Sequence, residues 1–199
     1  MAISQRALWI LGGLALLGGG SWLYQWLDQT RTEVTANAPS QPPQFLAGTP
    51  SAYLHDYVQA DFKGDRLERA NWPRFKEQVV WPVEPNWETA YVIRSFRVQT
   101  GPVTGQEATV EVTYDTLGEL NLFTFVYETS PSRQTVPYLL VPGQDRWKIG
   151  TPMLKPHVGP EPAIAYLERM AVHHTQYRDN IKQAIARIRT DAGLPEPRK

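Results

Sequence analysis

Ala7–Leu27 carries no charged residue over 21 positions. Fourteen of these are hydrophobic, five are glycine, and only Ser21 and Gln25 are polar. A helix of this length spans a hydrocarbon core of roughly 30 Å. No feature constrains the chain more, because such a run in water would have to be buried whole. Trp22, Tyr24 and Trp26 crowd its C-terminal end and Trp9 lies near the other, as in an interfacial aromatic belt. Arg6 and the α-amino group precede it, and Asp28, Arg31 and Glu33 follow it. The small Lys/Arg bias predicts a single span, with residues 1–6 as a cytoplasmic tip and the remainder outside. That places the chain in an inner or thylakoid-type membrane, with its soluble part on the periplasmic or lumenal side.

A cleaved signal peptide is the rival reading, with Ala36–Asn37–Ala38 as its small-residue site. That site lies far past the apolar run and is followed by Pro39, and Trp22–Leu27 is too bulky for a cleavage region. An uncleaved anchor is therefore expected. Ala15 and Gly19 form a small-xxx-small pair, a spacing that a glycine-rich segment produces by chance.

Residues 28–50 read as a tether. Pro39, Pro42, Pro43 and Pro50 stand among Thr, Ser, Gln and Asn, a composition that cannot bury a core. A soluble domain, 51–199, follows. The whole chain has 20 basic and 20 acidic residues, and the domain alone keeps 18 of each, because only Arg6, Arg31, Asp28 and Glu33 precede it. Neutrality argues against nucleic acid as a partner, which would need a basic face. The absence of cysteine excludes a disulfide framework, a zinc ribbon, a thiol nucleophile and a lipoprotein cysteine.

Within the domain, Ser51–Arg69 predicts a helix capped by Thr49 or Ser51, with Tyr53, Leu54, Tyr57, Val58, Ala60 and Phe62 on a broad apolar face and Gly64 as a point of interruption. A short helix Trp72–Val80 follows, with Asn71 as cap and Pro73 in its first turn. The pattern then turns to strands: Thr89–Gln99, Ala108–Tyr114, Leu120–Thr129, Gln134–Val141 and Arg146–Gly150. Gly101–Gly105 and Asp115–Glu119 are the expected links between the first three. Val110, Val112 and Tyr114 alternate with Thr109, Glu111 and Thr113, the mark of a half-buried antiparallel strand. After a proline-rich connection, Glu161–Asp191 predicts one long helix. Its stripe is Ile164, Leu167, Ala171, His174, Ile181, Ile185 and Ile188, ended by Gly193 and Pro195.

Strands grouped apart from helices indicate an α+β fold. The order helix, helix, antiparallel strands over Ser51–Gly150 resembles the NTF2-like superfamily, whose members pack N-terminal helices into a cone-shaped, curved antiparallel sheet. The long C-terminal helix departs from the minimal pattern. The anchor, tether and domain layout resembles the VirB8-type inner-membrane components of secretion systems, which hold such a domain in the periplasm. The resemblance implies a single-pass membrane protein that presents an NTF2-like domain as a protein-binding or assembly module, with a protein partner or a homodimer. It also implies an alternative, a membrane-tethered small-molecule binder or isomerase/dehydratase-like enzyme using the interior of the cone.

Under that alternative the candidate acid–base residues are Asp115, Tyr114 and His55, since a buried carboxylate beside a phenol can abstract and return a proton. The simpler account makes Asp115 a hairpin residue and sets His55 and Asp56 off the apolar helix face. No catalytic residue is expected on the leading reading. His173 and His174 point about 100° apart on a helix and have no partner at i+4, so no metal site is expected. His157 stands alone in the proline-rich connection. No glycine-rich phosphate loop, GxSxG or HExxH motif is present, and no cofactor is expected. Trp72, Trp81 and Trp87, interleaved with Pro73, Pro82 and Pro85, either seal a helix–strand junction or form a binding ledge. Arg178, Lys182, Arg187 and Arg189 complement a helix dipole or face an anionic surface.

Overall fold

The computed structural model describes residues 48–104 and 106–195, so the anchor Ala7–Leu27 and residues 28–47 of the tether lie outside the described residues. Among the described residues no helix is long and apolar enough to cross a membrane.

Helix α1, Pro50–Phe62, starts at a proline and is capped by Thr49, whose hydroxyl oxygen accepts the Ala52 amide at 3.2 Å. It ends well before Arg69, because Gly64 takes φ +84° and turns the chain back. Two 3-10 turns, Asp65–Leu67 and Arg69–Asn71, lead into the short helix α2, Trp72–Lys76. Asn71 does not cap α2 through its side chain; its amide donates to the Asp65 carbonyl instead.

Three long strands follow: β1, Thr89–Thr104; β2, Glu107–Asn121; and β3, Tyr127–Pro142. Strand β4, Trp147–Thr151, pairs with the end of β3, and β5, His157–Val158, pairs parallel with β1. The order is β4-β3-β2-β1-β5, so the curled sheet is mixed rather than purely antiparallel. Two helices close the fold, α3 (Pro160–His173) and α4 (Arg178–Ala192).

Several expected boundaries move. Gly101–Thr104 belongs to β1 and is not a turn. The segment Asp115–Glu119 is not a hairpin link either, since β2 runs through it with a bulge between Thr116 and Gly118. Gly118 is present for close approach: a Cβ there would lie 2.3 Å from the Glu128 carbonyl oxygen. The true reversal is 121–126, inside the expected strand Leu120–Thr129. Asn121 makes it by accepting the amides of Phe123 and Thr124 on its side-chain oxygen, at 2.9 and 2.8 Å. The expected helix Glu161–Asp191 is broken at His174. A continuous helix would set Arg178 in the middle of the apolar stripe, and the break leaves Arg178 exposed at the start of α4.

Bulges also explain why the sheet serves two cores. Ala90 and Val92 of β1 enter the core beneath α3 and α4, with Ile164, Leu167, Ile181 and Ile188. Past the irregularity at Val92–Ser95, Phe96 and Val98 join the other core, where Ile93 already lies beneath α1 and α2. Strand β2 divides likewise: Val110, Val112 and Tyr114 face Leu54, Tyr57 and Phe75, whereas Leu117 and Leu120 face α3 and α4. A one-residue offset reverses which face a strand's side chains occupy, so each bulge hands the strand from one core to the other.

Candidate functional site

The most concentrated polar chemistry lies where α1, the 3-10 turns, the 84–87 segment and β5 converge. Asp61 occupies the last turn of α1, on the same face as Leu54, Tyr57 and Val58, and is buried. The Gly64 reversal brings Arg66 back beneath the helix end. Its Nη1 donates to Asp61 Oδ2 at 3.0 Å, and its Nη2 donates to Glu84 Oε1 at 2.7 Å and to the Leu154 carbonyl at 2.8 Å. Asp61 Oδ2 also accepts the His157 amide at 3.0 Å. The guanidinium lies 5.6 Å from the Tyr57 ring centre. One arginine thus ties two distant segments of the chain, at Glu84 and Leu154, to the end of α1.

The electrostatics follow from burial. Burial raises the Asp61 carboxyl to about 6, while Arg66 and the His157 amide pull it down. For Arg66 burial acts downward, yet Asp61, Tyr57 and Glu84 together hold its pKa above the ordinary value. Burial drops His157 to about 3, so it is neutral, with its ring stacked 4.1 Å from that of Tyr114. Tyr114 and Tyr138 share a hydroxyl–hydroxyl hydrogen bond of 2.8 Å, and burial raises both phenols. Asp61 Oδ1, Arg66 Nε and Glu84 Oε2 are buried without a hydrogen-bond partner.

Beside this node opens a pocket of about 210 Å³. Trp72, Phe75, Trp87 and Tyr166 contribute to its walls, with Arg66 and Glu84 among its polar lining. The Trp87 indole N–H donates to Glu84 Oε1 at 2.6 Å, which locks that wall to the node.

The structure separates most of the residues singled out in the sequence. Trp72 and Trp87 meet at the pocket, while Trp81 is buried in the α1 core. Tyr114 is buried against Tyr138 and His157, but Asp115 points to the other face, half exposed and 3.6 Å from Arg94. His55 lies exposed on α1 near Asp56 and against Phe96. Asp115, Tyr114 and His55 therefore form no constellation. Arg178, Lys182 and Arg187 are exposed and Arg189 is half-buried, with Arg187 on the opposite flank of α4 from the other three. Arg189 donates to the Pro195 carbonyl at 3.0 Å. His173 is exposed, and His174 ends α3 with its ring 5.2 Å from Phe125, so the two share no ligand geometry. No group of acidic or histidine side chains able to hold a metal occurs among the described residues.

Asp61, Arg66, Glu84 and His157 were not visible as a set. One signal was available. Leu54, Tyr57, Val58 and Asp61 stand at i, i+3, i+4 and i+7, so the carboxylate falls on the apolar stripe. A charge there requires a buried partner.

The described residues thus form an α+β domain with a curled mixed sheet, covered cores on its faces and an aromatic-walled pocket. No family model, curated protein or solved structure matches the chain.

Proposed function

We propose that this chain is a single-pass membrane protein that presents an NTF2-like domain outside the cytoplasm as a protein-binding module. The uncharged run Ala7–Leu27 and the proline-rich residues after it support the anchor and tether. Two N-terminal helices laid on a curled sheet support the NTF2-like reading.

One observation carries the choice of module over enzyme. The space between α1 and the sheet is filled by Leu54, Tyr57, Phe75, Tyr114, Tyr138 and Trp147, all nearly fully buried. An isomerase-like site needs a cavity there with an acid and a base facing it. Asp115 and His55 instead face away, and the nearby opening is bounded by Trp72 and Trp87, residue types favoured at protein interfaces.

The test is capture of partners by the full-length chain from mild detergent, compared with its Trp72→Ala and Trp87→Ala variants. A specific protein retained by the unaltered chain and lost from both variants supports the reading. Equal capture by all three, or none by any, overturns it. A reporter fused after Lys199 tests the topology, and activity on the cytoplasmic side would reverse the proposed orientation.

A further inference from the structure

Two strand edges are left open in the sheet. Strand β5 covers β1 only at Tyr91 and Val92, yet β1 runs on to Thr104. Past Val92 the only strand paired with it among the described residues is β2, and no backbone hydrogen bond reaches the other edge. Strand β3 is open as well, because β4 begins to pair with it only at Leu139. The two edges differ. On β3 the open stretch carries Pro131 and Pro137 and is exposed on both faces from Glu128 to Thr135. Proline has no N–H to offer an added strand, so that edge is blunted. On β1, residues 94–101 contain no proline. Phe96 and Val98 are half-buried on the face toward α1, and the Phe96 ring lies 5.7 Å from the rings of both His55 and Phe62. His55, Gln59 and Phe62 stand at i, i+4 and i+7, so they form one flank of α1 beside this edge.

We propose that residues 94–100 of β1 take an extended, acidic segment of a protein partner as an added strand. The inference rests on the protein-binding reading above and adds to it a second surface and the chemistry of what docks there. Main-chain hydrogen bonds supply the affinity of an added strand, and its alternate side chains supply the specificity. Seven residues of strand extend roughly 23 Å, which accommodates a segment of ordinary strand length. On the inner face the added side chains meet Phe96, Val98 and the α1 flank, which favours apolar residues there. On the outer face they meet Arg94 and Arg97. Arg94 lies 3.6 Å from Asp115, whereas Arg97 is exposed and has no salt-bridge partner among the described residues. The acids of that face, Asp115 and Glu111, belong to β2, so β1 itself stands between them and a strand at the open edge. Opposite charges on neighbouring strands attract and like charges repel, which selects an acidic segment. The same charge disfavours a second copy of this chain. Antiparallel pairing centred on any residue from 96 to 98 sets the two Arg97 side chains within two positions of each other.

The test uses the full chain in non-ionic detergent and follows amide hydrogen exchange along β1 and β3. The probes are a capped peptide of alternating glutamate and valine, its lysine–valine counterpart, and two N-methylated forms of the first, one methylated at its valines and one at its glutamates. The expected result is saturable protection of residues 94–100 by the glutamate–valine peptide, weaker binding of the lysine–valine peptide, and loss of binding in one of the N-methylated forms. Arg97→Glu changes an exposed side chain, so the fold is retained. It is expected to weaken the acidic peptide by about fivefold or more and to strengthen the basic one. No saturable protection, equal binding of the acidic and basic peptides, full binding of both N-methylated forms, or an Arg97→Glu variant with unchanged preference overturns the proposal. Protection at 128–136 of β3 in place of β1 overturns the choice of edge. Protection of 94–100 that rises with protein concentration in the absence of peptide overturns the partner in favour of a second copy. Capture of a protein through Trp72 and Trp87, with no peptide protection of 94–100, overturns the added strand and leaves the module standing.

Discussion

His157 and Asp61 touch through one hydrogen bond, yet they bend stability in opposite directions as pH changes. Burial holds His157 at about 3 in the fold against 6.5 ordinarily. Between those values the unfolded chain binds the extra proton, so the contribution of His157 is complete above 6.5 and is lost as pH falls toward 3. At about 1.4 kcal/mol per pH unit the loss is about 5 kcal/mol. Asp61 is raised from 3.8 to about 6, so here the folded chain binds the extra proton. Its effect is a loss of about 3 kcal/mol as pH rises across that window. Over pH 4–6 the two slopes oppose each other, and the node contributes a nearly level profile. His157→Phe keeps an aromatic ring against Tyr114 and removes one of the two slopes. Urea unfolding followed by far-ultraviolet circular dichroism, at half-unit steps from pH 3 to 7, gives stability for both proteins. Their difference cancels every other titrating group. It is expected to grow in favour of the unaltered chain by about 1.4 kcal/mol per unit between pH 3 and 6.5. A difference that is flat with pH would refute the assignment of His157 as a buried neutral ring.

Arg66→Met strands two carboxylates and is expected to cost about 3–5 kcal/mol in urea unfolding; adding Asp61→Asn and Glu84→Gln should recover part of that loss. Gly118→Ala forces a Cβ to within 2.3 Å of a carbonyl oxygen and 2.6 Å of the Tyr127 hydroxyl, and should lower the melting temperature by several degrees. Tyr114→Phe leaves the Tyr138 hydroxyl alone in the core, at a cost of about 1–3 kcal/mol; the double variant with Tyr138→Phe should cost less than the two singles combined. Asp115→Asn loses only an exposed ion pair and should change stability by less than about 0.5 kcal/mol in the same assay.

Fold class was legible because it rests on periodicity. The alternation through Val110, Val112 and Tyr114 and the helical stripe of α1 both appear where expected. What misled were glycines and a helix with too regular a stripe. Gly118 reads as a turn because turns are the commonest reason for glycine in a polar stretch. Its actual reason, the nearness of Glu128 and Tyr127, exists only once β3 is paired. The actual turn carries no glycine and is made by Asn121, with Phe125 taking φ +57°. His174 continues the stripe in sequence and ends the helix in space, because four residues further on the stripe meets a charge.

The site was illegible for a related reason. Arg66, Glu84 and His157 lie 5, 23 and 96 residues from Asp61, and only the fold brings them within hydrogen-bond or amide reach. Asp61 alone broke a local rule, a carboxylate on an apolar stripe. That violation locates a buried cation without identifying it. The same logic applies one step outward. The guanidinium that answers Asp61 also binds Glu84, which lines the pocket wall with Trp87. The charge that α1 could not satisfy within its own stripe is thereby answered by an arginine that links the buried helix end to the pocket wall.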